Sequence, residues 1–433
     1  MSVTDAAATK QVEAGGFDTG AGQKAAMHGA TRQTDTDEAG ARASLSRATA
    51  LLFSVTCGLA VANVYYAQPL LDTIADDFAI SRAAVGIVIT VTQVGYGFGL
   101  LLLVPLGDLL NRRRLIIGQS LLSVFALLAV AAAPTGTMLL AAMTAVGALA
   151  VVTQVLVAYA ATLAKPAERG QAVGTVTSGI ILGILLARTA SGLFSDLFGW
   201  RSIYVVSAAA TSIIAVLLFA MLPRQAIPGT RLSYARLIGS VFILFAEVPM
   251  LRIRAILALF VFAAITVLLT PVVLPLSGPP FSLSHAQIGL LGLAGAAGAL
   301  GAARAGRLSD LGLGQRTTGT GLIVMLASWV PIALLPYSLW ALVLGVVTID
   351  YGLQSVHVSN QSLIYRVRPE AQSRLTAGYM IFYSIGCATG SITSTLVYAH
   401  AGWNGVCLLG AAISGTALLF WALTQHLTPD APG

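Results

Sequence analysis

The stretch Asp108-Leu-Leu-Asn-Arg112-Arg113-Arg114 is answered 202 residues later by Gly306-Arg-Leu-Ser-Asp310-Leu-Gly-Leu-Gly-Gln-Arg316, with Asp310 in the place of Asp108. Each is a short turn that carries an acid and several arginines, and each is set between long apolar runs. A charged turn repeated at the same place in both halves of an otherwise apolar chain indicates duplicated helix bundles in a membrane. It also puts the two turns on one face of that membrane.

Composition agrees with a membrane setting. Hydrophobic residues make up 57% of the 433-residue chain and charged residues 9%, with a mean hydropathy of +0.85. A soluble chain of this length needs a charged surface over its cores, and these charges are too few to make one. The formal net charge of +7 is spread over short loops with no basic patch interleaved by aromatics, which argues against nucleic acid as a partner. Cys57, Cys387 and Cys407 all lie in apolar runs, so neither a disulfide framework nor a metal-binding spacing is on offer.

Residues 1–47 are polar, rich in Gly, Ala and Thr, and of mixed charge; they are expected to form a disordered cytoplasmic tail rather than a secretory signal. Twelve apolar segments follow, at about 49–71, 83–106, 115–133, 138–162, 171–193, 202–222, 253–276, 285–304, 317–335, 339–363, 375–398 and 404–425. At roughly 20 residues each is long enough to cross a ~30 Å hydrocarbon core. Lipid cannot satisfy backbone groups, and the runs lack the alternation of a barrel strand. The expected fold class is therefore an all-α membrane protein with twelve transmembrane helices. With the N-terminus inside, the cations at 112–114, 165–169, 224–254, 304–316 and 366–374 all fall on the cytoplasmic face, and the opposite loops hold only Arg82 and Arg201.

The loop 223–252 carries Pro223 and Pro228 and separates an N-terminal six-helix bundle, 48–222, from a C-terminal one, 253–427; its stretch 234–245 is expected to lie along the membrane surface. Two further pairs mark the duplication. Gly199-Trp200 precedes the sixth segment as Gly402-Trp403 precedes the twelfth, and Lys165-Pro166-Ala-Glu168-Arg169 is matched by Arg368-Pro369-Glu370-Ala-Gln-Ser-Arg374. Two like-oriented halves related by an axis along the membrane normal are a plan used for alternating access.

Over residues 48–427 the chain resembles a twelve-helix member of the major facilitator superfamily. The loop signature of that family, Gly-x-x-x-Asp-Arg-x-Gly-Arg-Arg, is kept here at Asp108, Arg112 and Arg113, with Val104, Leu109 and Asn111 as departures. The second copy keeps Gly306, Asp310 and Arg316. The resemblance implies that these six residues belong to a gating loop whose aspartate helps lock the outward-facing form. In the fifth segment, Gly174-x8-Gly183-x3-Ala187-Arg188-x2-Ser191-Gly192 is similar to the motif of drug–proton antiporters, with Arg188 in the place of the proline. Asn63-Val-Tyr65-Tyr66-Ala-Gln68-Pro69 resembles a bacterial subgroup of exporters. Helices 1, 4 and 10 line the central cavity in the family. This implies substrate contacts from Asn63, Tyr66 and Gln68, and from Gln154 and Tyr159.

Individual polar residues sharpen that expectation. Asp350 is the one acid well inside an apolar run. It stands about eleven residues, or ~16 Å, into the tenth segment. A carboxylate there costs ~2.5–3.5 kcal/mol, so it is expected to face a cavity or a partner. Gln354, His357 and Gln361 continue its stripe at i+4, i+7 and i+11. Asp350 and His357 are the candidate proton-coupling residues. The competing readings are a static hydrogen-bond network for the stripe and a lone bonded histidine for His357.

Arg188 is read as the one cation buried within a span, away from the loop arginines at segment ends, and is a candidate for binding an anionic or carbonyl-bearing substrate, or for neutralising Asp350 in one conformation. A static pair or a snorkelling side chain is its alternative. Tyr379 and Tyr383 share a face of the eleventh segment, as cavity wall or as packing. Glycines at every third position from Gly289 to Gly301 make a strip along which a neighbouring helix can slide. Pro271 and Pro275 interrupt the outer end of the seventh segment, either as a gate or as a simple stop.

The sequence contains no phosphate-binding Gly-x-x-x-x-Gly-Lys-Ser/Thr loop, no His-Glu-x-x-His and no serine triad. A non-enzyme without cofactor or metal is therefore expected, driven by an ion gradient or by the substrate's own gradient. Together these features point to a monomeric secondary transporter of a bacterial inner membrane, with both termini cytoplasmic, that exports a small amphipathic compound against protons. Uptake or exchange of a small organic anion on Arg188 is the alternative. A non-transporting membrane sensor is the third reading.

Overall fold

The computed structural model describes residues 46–164, 168–222, 233–368 and 372–427, and these are helical without a strand. Nearly all of the tail 1–47 lies outside the described residues, as do Lys165, Pro166, the stretch 223–232 with Pro223 and Pro228, and Pro369 with Glu370.

Among the described residues each apolar segment corresponds to a helix. α1 runs Arg47–Tyr65 and continues through a 3-10 turn, Gln68–Leu70, into Leu71–Asp77; α2 is Ile87–Leu102 and α3 Arg112–Ala131. α4 is Gly136–Leu149 with Val152–Leu163, α5 Arg169–Phe198 and α6 Ser202–Met221. α7 is Pro249–Leu269 with Val273–Ser277, α8 is His285–Gly289 followed by a 3-10 stretch Leu290–Gly295 and then Ala296–Asp310, and α9 is Gly314–Ala333. α10 is Leu339–Val367, and α11 and α12 share Gln372–Thr424, divided at Gly402. A surface helix, Tyr234–Glu247, occupies the loop between the halves. Eight of these stretches, counting α11–α12 as one, are by themselves long and apolar enough to cross a membrane. The 16-residue α2 is shorter, α8 is broken by its 3-10 stretch, and α9 opens on Gln315, Arg316, Thr317 and Thr318.

Local chemistry sets the helix ends. Asn111 caps α3 by accepting from the Arg114 amide at 3.3 Å, and Ser284 with Gln287 forms a reciprocal capping box at the start of α8. The backbone of α7 breaks around Pro271, which cannot donate to the helix ladder. Gly199 and Gly402 both have positive φ, 82° and 61°, and each turns the chain so that the tryptophan after it folds into the protein. Trp200 donates to Asp77 Oδ2 at 2.8 Å and Trp403 to the Ile332 carbonyl at 3.0 Å. The two Gly-Trp turns thus share a positive-φ glycine followed by a buried, hydrogen-bonded tryptophan.

α1–α6 pack among themselves, as do α7–α12, and the halves meet along α2–α11 and α5–α8. Small residues permit this approach. At Gly86 an added Cβ would lie 2.5 Å from the Ser391 carbonyl oxygen, and at Gly192 and Gly289 it would fall on backbone of the opposite half. Thr90 donates to the Ala388 carbonyl at 2.9 Å, Ser391 to Gly86 at 2.9 Å and Thr189 to Gly289 at 3.0 Å. The ends where these contacts cluster are the ones expected to face outward. Large apolar side chains such as Phe98, Phe125, Phe198 and Phe219 are exposed around the perimeter, as lipid-facing groups are.

Candidate functional site

A cavity of about 260 Å³ lies between the halves. From the first half it is lined by Val61, Val64, Tyr65 and Gln68 of α1, Gln93 and Tyr96 of α2, Gln154 of α4, and Ile184, Leu185 and Arg188 of α5. From the second come Phe262 of α7, Gly292 and Gly295 of α8, Asp350, Gln354, His357 and Gln361 of α10, and Tyr383 of α11. The stripe on α10 therefore faces this space along its length. Arg188 donates from Nε to Gln68 Oε1 at 2.8 Å, and its guanidinium lies 5.6 Å from the Tyr65 ring centre. Gln93 is buried, and among the described residues its Oε1 has no hydrogen-bond partner.

The glycine strip of α8 forms the floor under both charges. An added Cβ at Gly292 would lie 3.1 Å from Arg188 Cβ, and at Gly298 it would lie 2.6 Å from Asp350 Oδ2. Neither acid nor cation could approach α8 so closely over a larger residue. Above them an aromatic bridge joins the halves. Tyr65 and Tyr383 share a hydroxyl hydrogen bond of 2.6 Å, and Tyr383 packs edge-on against Phe262 with ring centres 4.2 Å apart.

Of the candidate residues, Gln68, Gln154, Arg188, Asp350, Gln354, His357 and Tyr383 line the cavity together. Asn63, Tyr66, Tyr159 and Tyr379 do not line it. α1 turns Tyr65 and Gln68 inward, one helical turn apart, and so directs Asn63 and Tyr66 toward α6. There Asn63 accepts from Ser207 at 2.5 Å, and Tyr66 packs edge-on against Tyr204. Tyr159 is fully buried against Phe53 within the first half. Tyr379 sits behind His357, with its hydroxyl 3.0 Å from Nδ1. Tyr65, Gln93 and Tyr96 were not among the candidates, although Gln93 is the one amide side chain in α2 and is a signal the sequence offers.

Two further features flank the cavity. At the arginine-rich end, Gln154 also borders a second space of about 240 Å³, between Val104, Gly107 and Arg112 on one side and Tyr365, Thr376 and Ala377 on the other. There Arg112 donates to the Gly107 carbonyl and to Thr162, Arg113 to the Phe219 carbonyl, and Arg366 to the Ser309 carbonyl. Gly306 lies within α8 and Arg316 opens α9; the side chains of Asp108 and Asp310 are outside the described ones. At the opposite end His285 of α8 is clasped by the first half. Its Nε2 lies 3.0 Å from Asp72 Oδ1 and its Nδ1 3.0 Å from Asp196 Oδ1, while the Ala286 amide donates to Asp196 Oδ2 at 2.8 Å.

Comparison with known proteins places this architecture. The description "Major Facilitator Superfamily" matches residues 52–353 and 256–433. "Uncharacterized transporter YgaY" of Escherichia coli O157:H7 is 47% identical over 377 residues, 87% of this chain and 95% of its own length. A "Probable sugar efflux transporter" of Helicobacter pylori (strain ATCC 700392 / 26695) is 22% identical over 377 residues, 86% of this chain and 93% of its own. Among solved structures, a bacterial homologue of the human lysosomal transporter Spinster superposes with a TM-score of 0.71 at 15% identity, covering 88% of this chain and 97% of that one. The family match across residues 52–433, the 47% identical relative and the helical fold agree: this chain is a multi-pass membrane transporter belonging to the major facilitator superfamily.

Proposed function

We propose that the protein is a proton-coupled antiporter that exports a small amphipathic compound by alternating access, with Asp350 exchanging a proton for the substrate. The observation that carries this reading is the position of Asp350 on the cavity wall, with no hydrogen bond or ion pair to any described residue. A carboxylate kept in a largely apolar space without a fixed partner is suited to binding a proton and a substrate in turn. His357, on the same stripe, is the second proton-handling candidate. At the other end the gating-loop residues Arg112 and Arg113 tie the start of α3 to Thr162 of α4 and to the Phe219 carbonyl of α6 while the halves rock. Export is supported by the efflux named for the Helicobacter relative and by the α5 glycine spacing. The setting that fits is a bacterial inner membrane, both termini inside, with a monomer as the working unit.

The test uses everted vesicles with an acid interior, a pH-sensitive dye and a panel of cationic, neutral and anionic compounds. Wild type is compared with equally expressed Asp350→Asn. Substrate-dependent collapse of the gradient in wild type alone supports the proposal, and equal responses in both remove Asp350 from coupling. The alternative, uptake or exchange of an organic anion, is favoured by the guanidinium of Arg188, which has one side-chain hydrogen bond, to Gln68. It expects Arg188→Ala to lose anion binding while Asp350→Asn keeps it.

A further inference from the structure

With Asp350 ionised the cavity contains one positive and one negative charge, contributed by opposite halves, and no other lysine, arginine, aspartate or glutamate in its lining. The two are not paired with each other within 4.0 Å among the described residues, and Arg188 bonds instead to the neutral Gln68. Both lean on the same strip of α8, Arg188 over Gly292 and Asp350 over Gly295 and Gly298.

A ligand with a single charge satisfies one of these groups and leaves the other unpaired in a desolvated space, which is costly. A ligand bearing both charges satisfies both at once. The remaining wall is apolar where Ile184, Leu185, Phe262 and Ile265 face the space. We infer that the substrate class is a small zwitterion of the amino-acid type with an apolar side chain, its ammonium on Asp350 and its carboxylate on Arg188. This rests on the exchange role of Asp350 proposed above and makes that exchange specific: the ammonium and the proton compete for one carboxylate.

The probes are leucine, methionine and phenylalanine, their ethyl esters, which are cations, and their N-acetyl forms, which are anions. Binding is measured by calorimetry on the purified full-length protein in lipid nanodiscs. Wild type is expected to bind at least one parent amino acid ten or more times more tightly than either derivative. Arg188→Gln is expected to bind the ester as well as or better than the parent. Asp350→Asn is expected to do the same for the N-acetyl form. A derivative gained by a variant also demonstrates that the variant is folded, and Arg188→Lys with Asp350→Glu should keep the preference for the parent. Failure of all three amino acids to bind wild type, or equal binding of parent and derivatives, overturns the inference. Proteoliposome assays separate it from the antiport reading. Zwitterion binding without proton movement refutes antiport and leaves the substrate class standing. Proton movement driven by a singly charged compound, with no zwitterion bound, refutes the substrate class alone.

Discussion

Replacing His285 by alanine should loosen the outer closure. Carboxylate oxygens only accept, so the two acids at Nδ1 and Nε2 favour the protonated, doubly donating imidazole, with the Thr73 hydroxyl also 3.1 Å from Nε2. In the closed arrangement His285 makes two such bonds, each 3.0 Å, to Asp72 and Asp196. A hydrogen bond to a charged group contributes about 1.5–3 kcal/mol when sheltered. These side chains keep 21%, 13% and 25% of their surface, and the His285 and Ala286 amides still bind Asp196 after the substitution. A net loss of about 2 kcal/mol is therefore reasonable, which shifts the closed-to-open ratio roughly thirtyfold.

The native Cys387 reports this, since it lines the central cavity and is buried. With Cys57 and Cys407 replaced by serine, a membrane-impermeant maleimide added from the outer side should label Cys387 about thirty times faster in His285→Ala. Closure takes up a proton at His285, so acid outside favours the closed form and rising pH releases it. Wild-type labelling should thus climb with pH more steeply than that of His285→Ala, which serves as the reference for thiol reactivity. Equal rates and parallel pH profiles in the two proteins would refute the latch.

Other substitutions test the cavity and the frame. Gly298→Ala puts a methyl 2.6 Å from Asp350 Oδ2, against the 3.4 Å at which ordinary contact begins, so the carboxylate must retreat by about 0.8 Å. Transport should fall at least tenfold with expression intact, and an unchanged rate would mean that α8 does not set the position of Asp350. Gly86→Val should prevent the α2–α11 approach and leave Cys387 open to outside reagent even at low pH; continued protection would argue that this contact is dispensable. Gly199→Ala forces a side chain into φ 82°, ψ 156°, a region essentially reserved for glycine, costing about 1–3 kcal/mol, and should lower the thermal midpoint without changing substrate affinity.

The sequence carries some parts of this molecule openly. The α10 stripe from Asp350 to Gln361 was legible because four polar groups at helical spacing stand out in an apolar run. The tandem Gly-Trp turns were legible because glycine at positive φ followed by a large ring is a local device, repeated where the halves repeat. On α1 the same reasoning lacked purchase. Its polar residues are not gathered on one face, so the choice between Tyr65 and Tyr66 as the inward ring depends on packing against α6, which periodicity does not encode. The His285 clasp escaped notice for another reason. Asp72 and Asp196 are ordinary loop-end acids until folding brings them to a histidine 213 and 89 residues away.

The glycine floor of α8 has one more consequence. It belongs to the same half as Asp350, whereas Arg188 rides on the other half and only rests upon it. In the alternating access proposed above, rocking carries Asp350 along with the floor but slides Arg188 across it. The floor acts as a vernier: each tilt of the bundles changes the distance between the two charges. A solute of fixed length can then match that distance at one tilt and not at another, so release is programmed by geometry rather than by a separate trigger.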